Sequence, residues 1–155
     1  RRHTDLVRDL SSGVCSSDMG GTLDGVCSAE VTEAVVMNHG RIPSVFVTSE
    51  IAAPLKIDRL CTLAQQAEIL VSCDNAEHAR DLSQAAAARG VDLGVVIELE
   101  TRLRRCGVQE MEQGVALLTA IDASPARDVK GIMSHQTIPS PPEQAHTAPQ
   151  AHRAL

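Results

Sequence analysis

The chain has 155 residues, 43% of them hydrophobic, and a formal net charge of -6 at pH 7, which is enough for one ordinary domain with a real core and short for two. That charge, with no basic cluster beyond Arg102, Arg104 and Arg105, argues against a nucleic-acid surface, which needs a positive stripe to displace counterions. No apolar run approaches the roughly 18 residues of a membrane span, and the N-terminus lacks a basic stretch followed by an apolar one, so a soluble, cytoplasmic chain with no membrane partner is expected. The cysteines, Cys15, Cys27, Cys61, Cys73 and Cys106, are odd in number and show no Cys-x-x-Cys spacing. Buried free thiols are therefore expected rather than a disulfide framework or a zinc knuckle, and no metal site is expected. One Phe with no Tyr or Trp leaves the core to Val, Leu, Ile and Ala, which suits parallel strands covered by helices.

In chain order, Arg1 to Gly21 has no sustained periodicity and is rich in Ser and Gly. It contains Ser-Ser-Gly-Val-Cys-Ser-Ser-Asp at 11–18, a string similar to translated adapter sequence, so residues 1–21 are expected to be irregular and non-native. Residues 22–135 form the expected domain. Its first strand is Gly25 to Ser28, followed by a helix from Glu30 to Asn38 with Val31, Ala34, Val35 and Asn38 on one stripe, which Gly40 stops. The second strand is Ser44 to Thr48. Pro54 then opens a helix continuing from Leu55 to Gln66, a place where its missing amide costs nothing.

The third strand is Glu68 to Ser72, with Asp74 and Asn75 as capping candidates for an alanine-rich helix that runs through Arg89 and is closed by Gly90. The fourth, Leu93 to Leu99, is a nearly continuous apolar run, as a strand buried on both faces should be. A loop from Glu100 to Val108, a helix from Gln109 to Ala123 and a fifth strand from Val129 to Met133 follow. Residues 136–155, rich in Pro, Ala and Gln, are expected to be a disordered tail.

Repeated strand-helix units predict an α/β class with a parallel sheet. Spacing alone leaves open a doubly wound sheet or an arc of a (β/α)8 barrel, and the lack of Gly-x-Gly-x-x-Gly after the first strand counts against a dinucleotide-binding sheet. In both architectures functional groups gather where the strands end. Those positions are Cys27 and Ser28, Thr48 to Glu50, Cys73 and Asp74, Glu98 to Arg105, and Ser134 to Gln136.

The stretch Ile97 to Val108 resembles the strand and loop that, in pyridoxal-phosphate (PLP) enzymes with the alanine-racemase barrel, carry an acidic residue and then Arg-x-Gly; the D-threonine aldolase branch often ends it Arg-Cys-Gly-Val, as Arg105 to Val108 do. Gly25 to Ala34, Thr48 to Ile51 with Pro54 to Leu60, and Gly131 to His135 are similar to further segments of that branch in the same order. The resemblance covers about Asp24 to Pro142 and implies a partial (β/α)8 TIM barrel, strands two to six. Arg102 and Leu103 replace the family's usual Gly-Met.

The resemblance implies that Arg105 lies near the ring and phenolic oxygen of PLP, that His135 stands beside the cofactor, and that Thr48 and Cys27 face the ring. An acidic Glu98, where racemases commonly carry a lysine, leans towards the lyase branch. The lysine that would hold PLP as a Schiff base belongs at the end of the first barrel strand, and neither Lys56 nor Lys130 matches it, so no catalytic residue is assigned. The phosphate loops, and a divalent metal held by a C-terminal β domain, are expected beyond Leu155.

The leading expectation is therefore a fragment of a PLP-dependent lyase cleaving D-3-hydroxy amino acids to glycine and an aldehyde, inactive as it stands. A racemase or a D-serine dehydratase-like enzyme on the same barrel is the enzymatic rival. Rivals of other classes are a PLP-homeostasis protein without turnover and an independent doubly wound binding module. An arc of a barrel is also expected to leave sheet edges unpaired and one face uncovered, favouring aggregation or a homodimer.

Overall fold

The alternation of β-branched runs with helix-patterned stretches becomes five strands and four helices in a computed structural model that describes residues 25–101, 104–124 and 128–135. In chain order these are β1 (Val26–Ser28), α1 (Val31–His39), β2 (Ser44–Val47), α2 (Pro54–Leu63), β3 (Glu68–Cys73), α3 (Ala76–Arg89), β4 (Gly94–Leu99), α4 (Met111–Asp122) and β5 (Val129–Ser134). The segment 1–21 and the tail 136–155 lie outside the described residues.

Local chemistry explains the boundaries. Glu30 caps α1 through a reciprocal box with Glu33, and Glu110 does the same for α4 with Gln113, so each helix begins one or two residues later than its periodicity suggests. The Asn75 side chain accepts the His78 amide at 2.9 Å to cap α3, and Gly90 ends that helix in the left-handed conformation, at φ 63°. Gly40 does follow α1, but with φ −73°. The left-handed residue there is Arg41, at φ 59°, because α1 runs one residue further than expected, to His39.

Each strand pairs in parallel with the next one in sequence, in the order β1-β2-β3-β4-β5. A doubly wound sheet reverses strand order at a switch point and carries helices on both faces. Here nothing reverses. Val45, Val47, Ile69 and Val71 pack with Val31, Ala34, Ile57, Leu60 and Leu82 of α1, α2 and α3, while Val95 and Ile97 pack with Leu117 and Ile121 of α4. With the helices on one face, the sheet is an arc of a (β/α) barrel with its helices outside.

The opposite face carries Phe46, Leu70 and Val96, with Cys27 and Met133 packed against them. Cys27 pairs with Phe46, and Phe46 with Leu70, so neighbouring strands present these side chains to one another. All three central residues are buried, which corrects the expectation of an uncovered inner face. Exposed apolar side chains lie elsewhere: Ile132 of β5 is 60% exposed, with Met111, Val115 and Leu118 of α4 exposed at the same end of the arc and Val36 of α1 and Leu55 of α2 exposed on the outer helices.

Full burial of an aliphatic side chain is worth about 1.5–3 kcal/mol, and Leu60 is completely buried in the largest cluster. Leu60→Ala is expected to cost about 2–5 kcal/mol in urea denaturation. Leu55→Ala one turn earlier, where the side chain is exposed, should stay within about 0.5 kcal/mol of the parent.

Candidate active site

Parallel strands of one arc bring their C-terminal ends together on one rim. Glu98 stands there on β4, opposite Met133 of β5, and its side chain is only 3% exposed. A carboxylate so deeply placed must be hydrogen-bonded. Its Oε1 accepts from Arg105 Nη2 at 3.3 Å and from the Cys106 thiol at 3.1 Å. Arg105 Nε also donates to Cys106 Sγ at 3.3 Å. These contacts raise the Arg105 guanidinium above its ordinary value, Cys106 being the larger cause. One edge of Arg105 is thus anchored, and the side chain remains 57% exposed at the rim.

The loop that delivers Arg105 folds back onto its own strand. Val108 N donates to Glu98 O at 2.8 Å and Glu100 N to Val108 O at 3.0 Å, making a parallel bridge between Leu99 and Val108. Gly107 occupies the crossing point at φ 104°. A Cβ there would stand 2.5 Å from Glu100 N and 2.7 Å from Leu99 C, so only glycine fits. Its amide donates to Asp74 Oδ2 at 3.1 Å, which ties the loop to the end of β3. The Arg-Cys-Gly-Val string therefore has a mechanical meaning: a cation, a thiol on the same acid, an obligatory turn and a buried anchor at Val108.

Glu50, in the segment after β2, completes the acidic side of the rim. Burial above all, then the adjacent Glu98 carboxyl and the charge of Asp74, push its carboxyl up to about 7. Glu50 Oε1, Glu98 Oε2 and both oxygens of Glu100 are buried without a hydrogen-bond partner among the described residues. The segment bearing Glu50 is pinned by His78 of α3, whose Nε2 lies 2.9 Å from the Ile51 carbonyl. Burial lowers the His78 pKa, so the ring is neutral and donates from Nε2. Sequence reading placed Glu50 among the strand-end positions without a role and passed over His78, since one histidine in an alanine-rich helix carries no spacing signal.

Among the described residues, Glu50, Glu98 and Cys106 place their donor atoms within 4.8 Å of one another. We assign them no metal, because Glu98 Oε1 is already taken by a guanidinium whose charge opposes a second cation. The thiols divide: Cys61 and Cys73 are buried as expected, while Cys27 and Cys106 are partly exposed. Burial is the largest cause that pushes both Cys73 and Cys106 up to about 11. Cys15 lies outside the described residues.

The other residues singled out in the sequence spread along the rim and just below it. Thr48 Oγ1 donates to Ser28 O at 3.3 Å, tying the ends of β1 and β2, and Cys27 packs on the inner face below it. His135 follows β5 with an exposed side chain, and its carbonyl accepts from Thr101 Oγ1 at 3.3 Å. The two lysines are elsewhere. Lys56 pairs with Glu30 at 2.9 Å on the first turn of α2, and Lys130 pairs with Asp128 and Glu68 at the opposite end of the strands.

The description "Alanine racemase, N-terminal domain" matches residues 14–155. A 3-hydroxy-D-aspartate aldolase of Paracoccus denitrificans is 35% identical over 137 residues, covering 88% of this chain and 35% of that protein. A D-threonine aldolase of Arthrobacter sp. is 33% identical over 108 residues, 70% of this chain and 27% of that protein. The chain thus spans about a third of the length of the curated relatives it matches. The crystal structure of D-threonine aldolase from Filomicrobium marinum superimposes with a TM-score of 0.70 at 31% identity, covering 75% of this chain and 31% of the other. Alanine racemase of Clostridium difficile 630 does so with a TM-score of 0.72 at 15% identity over 86% of this chain and 36% of its own, a likeness of fold alone.

Two outcomes are expected here. Gly107→Ala should destabilise the chain by more than about 1 kcal/mol in chemical denaturation, whereas Gly131→Ala, whose Cβ meets nothing within 4 Å, should not. The folded state holds the Glu50 proton up to about pH 7, against an ordinary value of 4.5, so it binds more protons than the unfolded state between those limits. Folding stability should therefore fall as pH rises from about 4.5 to 7 and level off above. Glu50→Gln should remove that fall in pH-dependent denaturation.

Proposed function

The chain belongs to the alanine racemase N-terminal domain family, and on that premise we propose that it forms strands two to six of a PLP-dependent aldolase that cleaves D-3-hydroxy amino acids to glycine and an aldehyde. Both curated relatives described above bear aldolase names. The observation that carries the reading within the chain is Arg105, held on the rim by the buried acid Glu98 in an Arg-Cys-Gly-Val loop. A fixed cation with an exposed edge suits contact with an electron-rich heteroaromatic ring and its phenolic oxygen.

In this reading Arg105 faces the cofactor ring, His135 stands beside it, and Thr48 and Cys27 line the inner face below. When bound, PLP supplies the electron sink for cleavage. The fit of the described rim is one-sided. It offers an oriented cation but no amine, because Lys56 and Lys130 are engaged away from the rim. Covalent attachment, phosphate binding and a divalent metal are therefore assigned to other parts of the parent enzyme, and no chemical step is assigned to this chain. The exposed apolar surface of α4 and β5 supports pairing of two such arcs as a homodimer.

A spectral titration of the 155-residue chain with PLP should give no saturable band, and incubation with D-threonine should release no aldehyde. Residues 25–135 exchanged into the aligned segment of the Arthrobacter aldolase should retain PLP binding and D-threonine cleavage. A chimera that binds PLP and racemises alanine without releasing aldehyde would overturn the aldolase reading.

A further inference from the structure

The proposed activity gives no role to Glu50, yet its surroundings require one. The buried oxygens Glu50 Oε1 and Glu98 Oε2 have no donor among the described residues, and the two carboxyl groups place oxygens within 4.8 Å of one another. Ionised carboxylates only accept hydrogen bonds, so two of them at this distance repel with nothing between. Near Glu50 stand Glu98 from β4, Asp74 and Cys73 from the end of β3, and Cys106 from the loop after β4; Arg105 of that loop reaches Glu98, and His78 of α3 holds the neighbouring Ile51. Among these described groups Arg105 is the cation, and it donates to Glu98 and Cys106. Asp74 is occupied by Gly107 N and Asn75 Nδ2, the Cys73 thiol donates to Asn75 O, and His78 is turned to Ile51 O.

We propose that a proton on the Glu50 carboxyl is donated to the unpartnered oxygen of Glu98, making Glu50 the positioning residue for the Glu98–Arg105 pair. With that proton in place, Glu98 carries one negative charge shared by one guanidinium, and its second oxygen has a donor. Once the proton leaves, two adjacent negative charges compete for Arg105, and the guanidinium is drawn off the geometry that presents its free edge to the rim. The inference concerns this chain's own residues and holds whatever ligand the rim takes.

The test is carboxyl-carbon NMR of the full 155-residue chain in chelator-treated buffer between pH 4 and 9, with Arg105 Nε–H recorded in parallel. One glutamate signal should titrate near neutrality, vanish in Glu50→Gln, and move together with the Arg105 signal in the parent chain. Glu50→Gln, whose amide replaces the donor, should hold the Arg105 signal at its low-pH position throughout. Glu50→Ala, which has no donor, should lose that position at every pH. A parent chain with no glutamate titrating above pH 6, an Arg105 signal indifferent to both substitutions, or a neutral transition that persists in Glu50→Gln would each overturn the proposal. So would one-to-one zinc binding that abolishes the transition at micromolar concentration, since a cation would then occupy the proton's place. If the substitutions unfold the chain, the pH dependence of the Arg105 signal in the unsubstituted protein decides alone.

Discussion

A carboxylate placed at a strand end with 3% of its side chain exposed must be matched by donors or lose its charge, and the rim of this arc is organised around meeting that demand for Glu98. Arg105 and Cys106 supply the donors. To reach them the chain must leave β4, turn sharply and come back, which is why Gly107 sits at φ 104° with no room for a side chain. Asp74 then secures the turn from the neighbouring strand. A single buried acid thus explains the residue types from Arg105 to Gly107.

The sheet topology supplies the rest. Because the strands follow one another without reversal and carry their helices on one face, groups from β2, β3, β4 and β5 meet at one end. Burial, and then the neighbouring acid Glu98, work against ionising Glu50. Its carboxyl is pushed up to about 7, whereas Arg105 is held cationic by its partners. An acid that gives up its proton reluctantly and a cation held by its partners thus stand at the same rim.

Much of the framework was legible in the sequence because it rests on local rules. Val45, Phe46 and Val47, or Val95, Val96 and Ile97, are runs that a buried parallel strand demands, and Pro54, Asn75 and Gly90 punctuate helices through their own backbone chemistry. Spacing alone could not choose between an open sheet and a barrel, because strand order is a long-range property. The Arg-Cys-Gly-Val resemblance pointed to Arg105, but its anchor on Glu98 and the place of Glu50 depend on contacts across the sheet. The inner face was misjudged as well: Phe46, Leu70 and Val96 are buried in one cluster with Cys27 and Met133, a cross-strand property that no single segment reveals.

The most direct measurement of this account is a double-mutant cycle between Glu98→Gln and Arg105→Met, read by chemical denaturation. A coupling on the order of 1 kcal/mol or more is expected if the buried acid and the rim cation form one unit. Effects that add to within about 0.3–0.5 kcal/mol would mean that Arg105 is not held by Glu98, and would contradict the account.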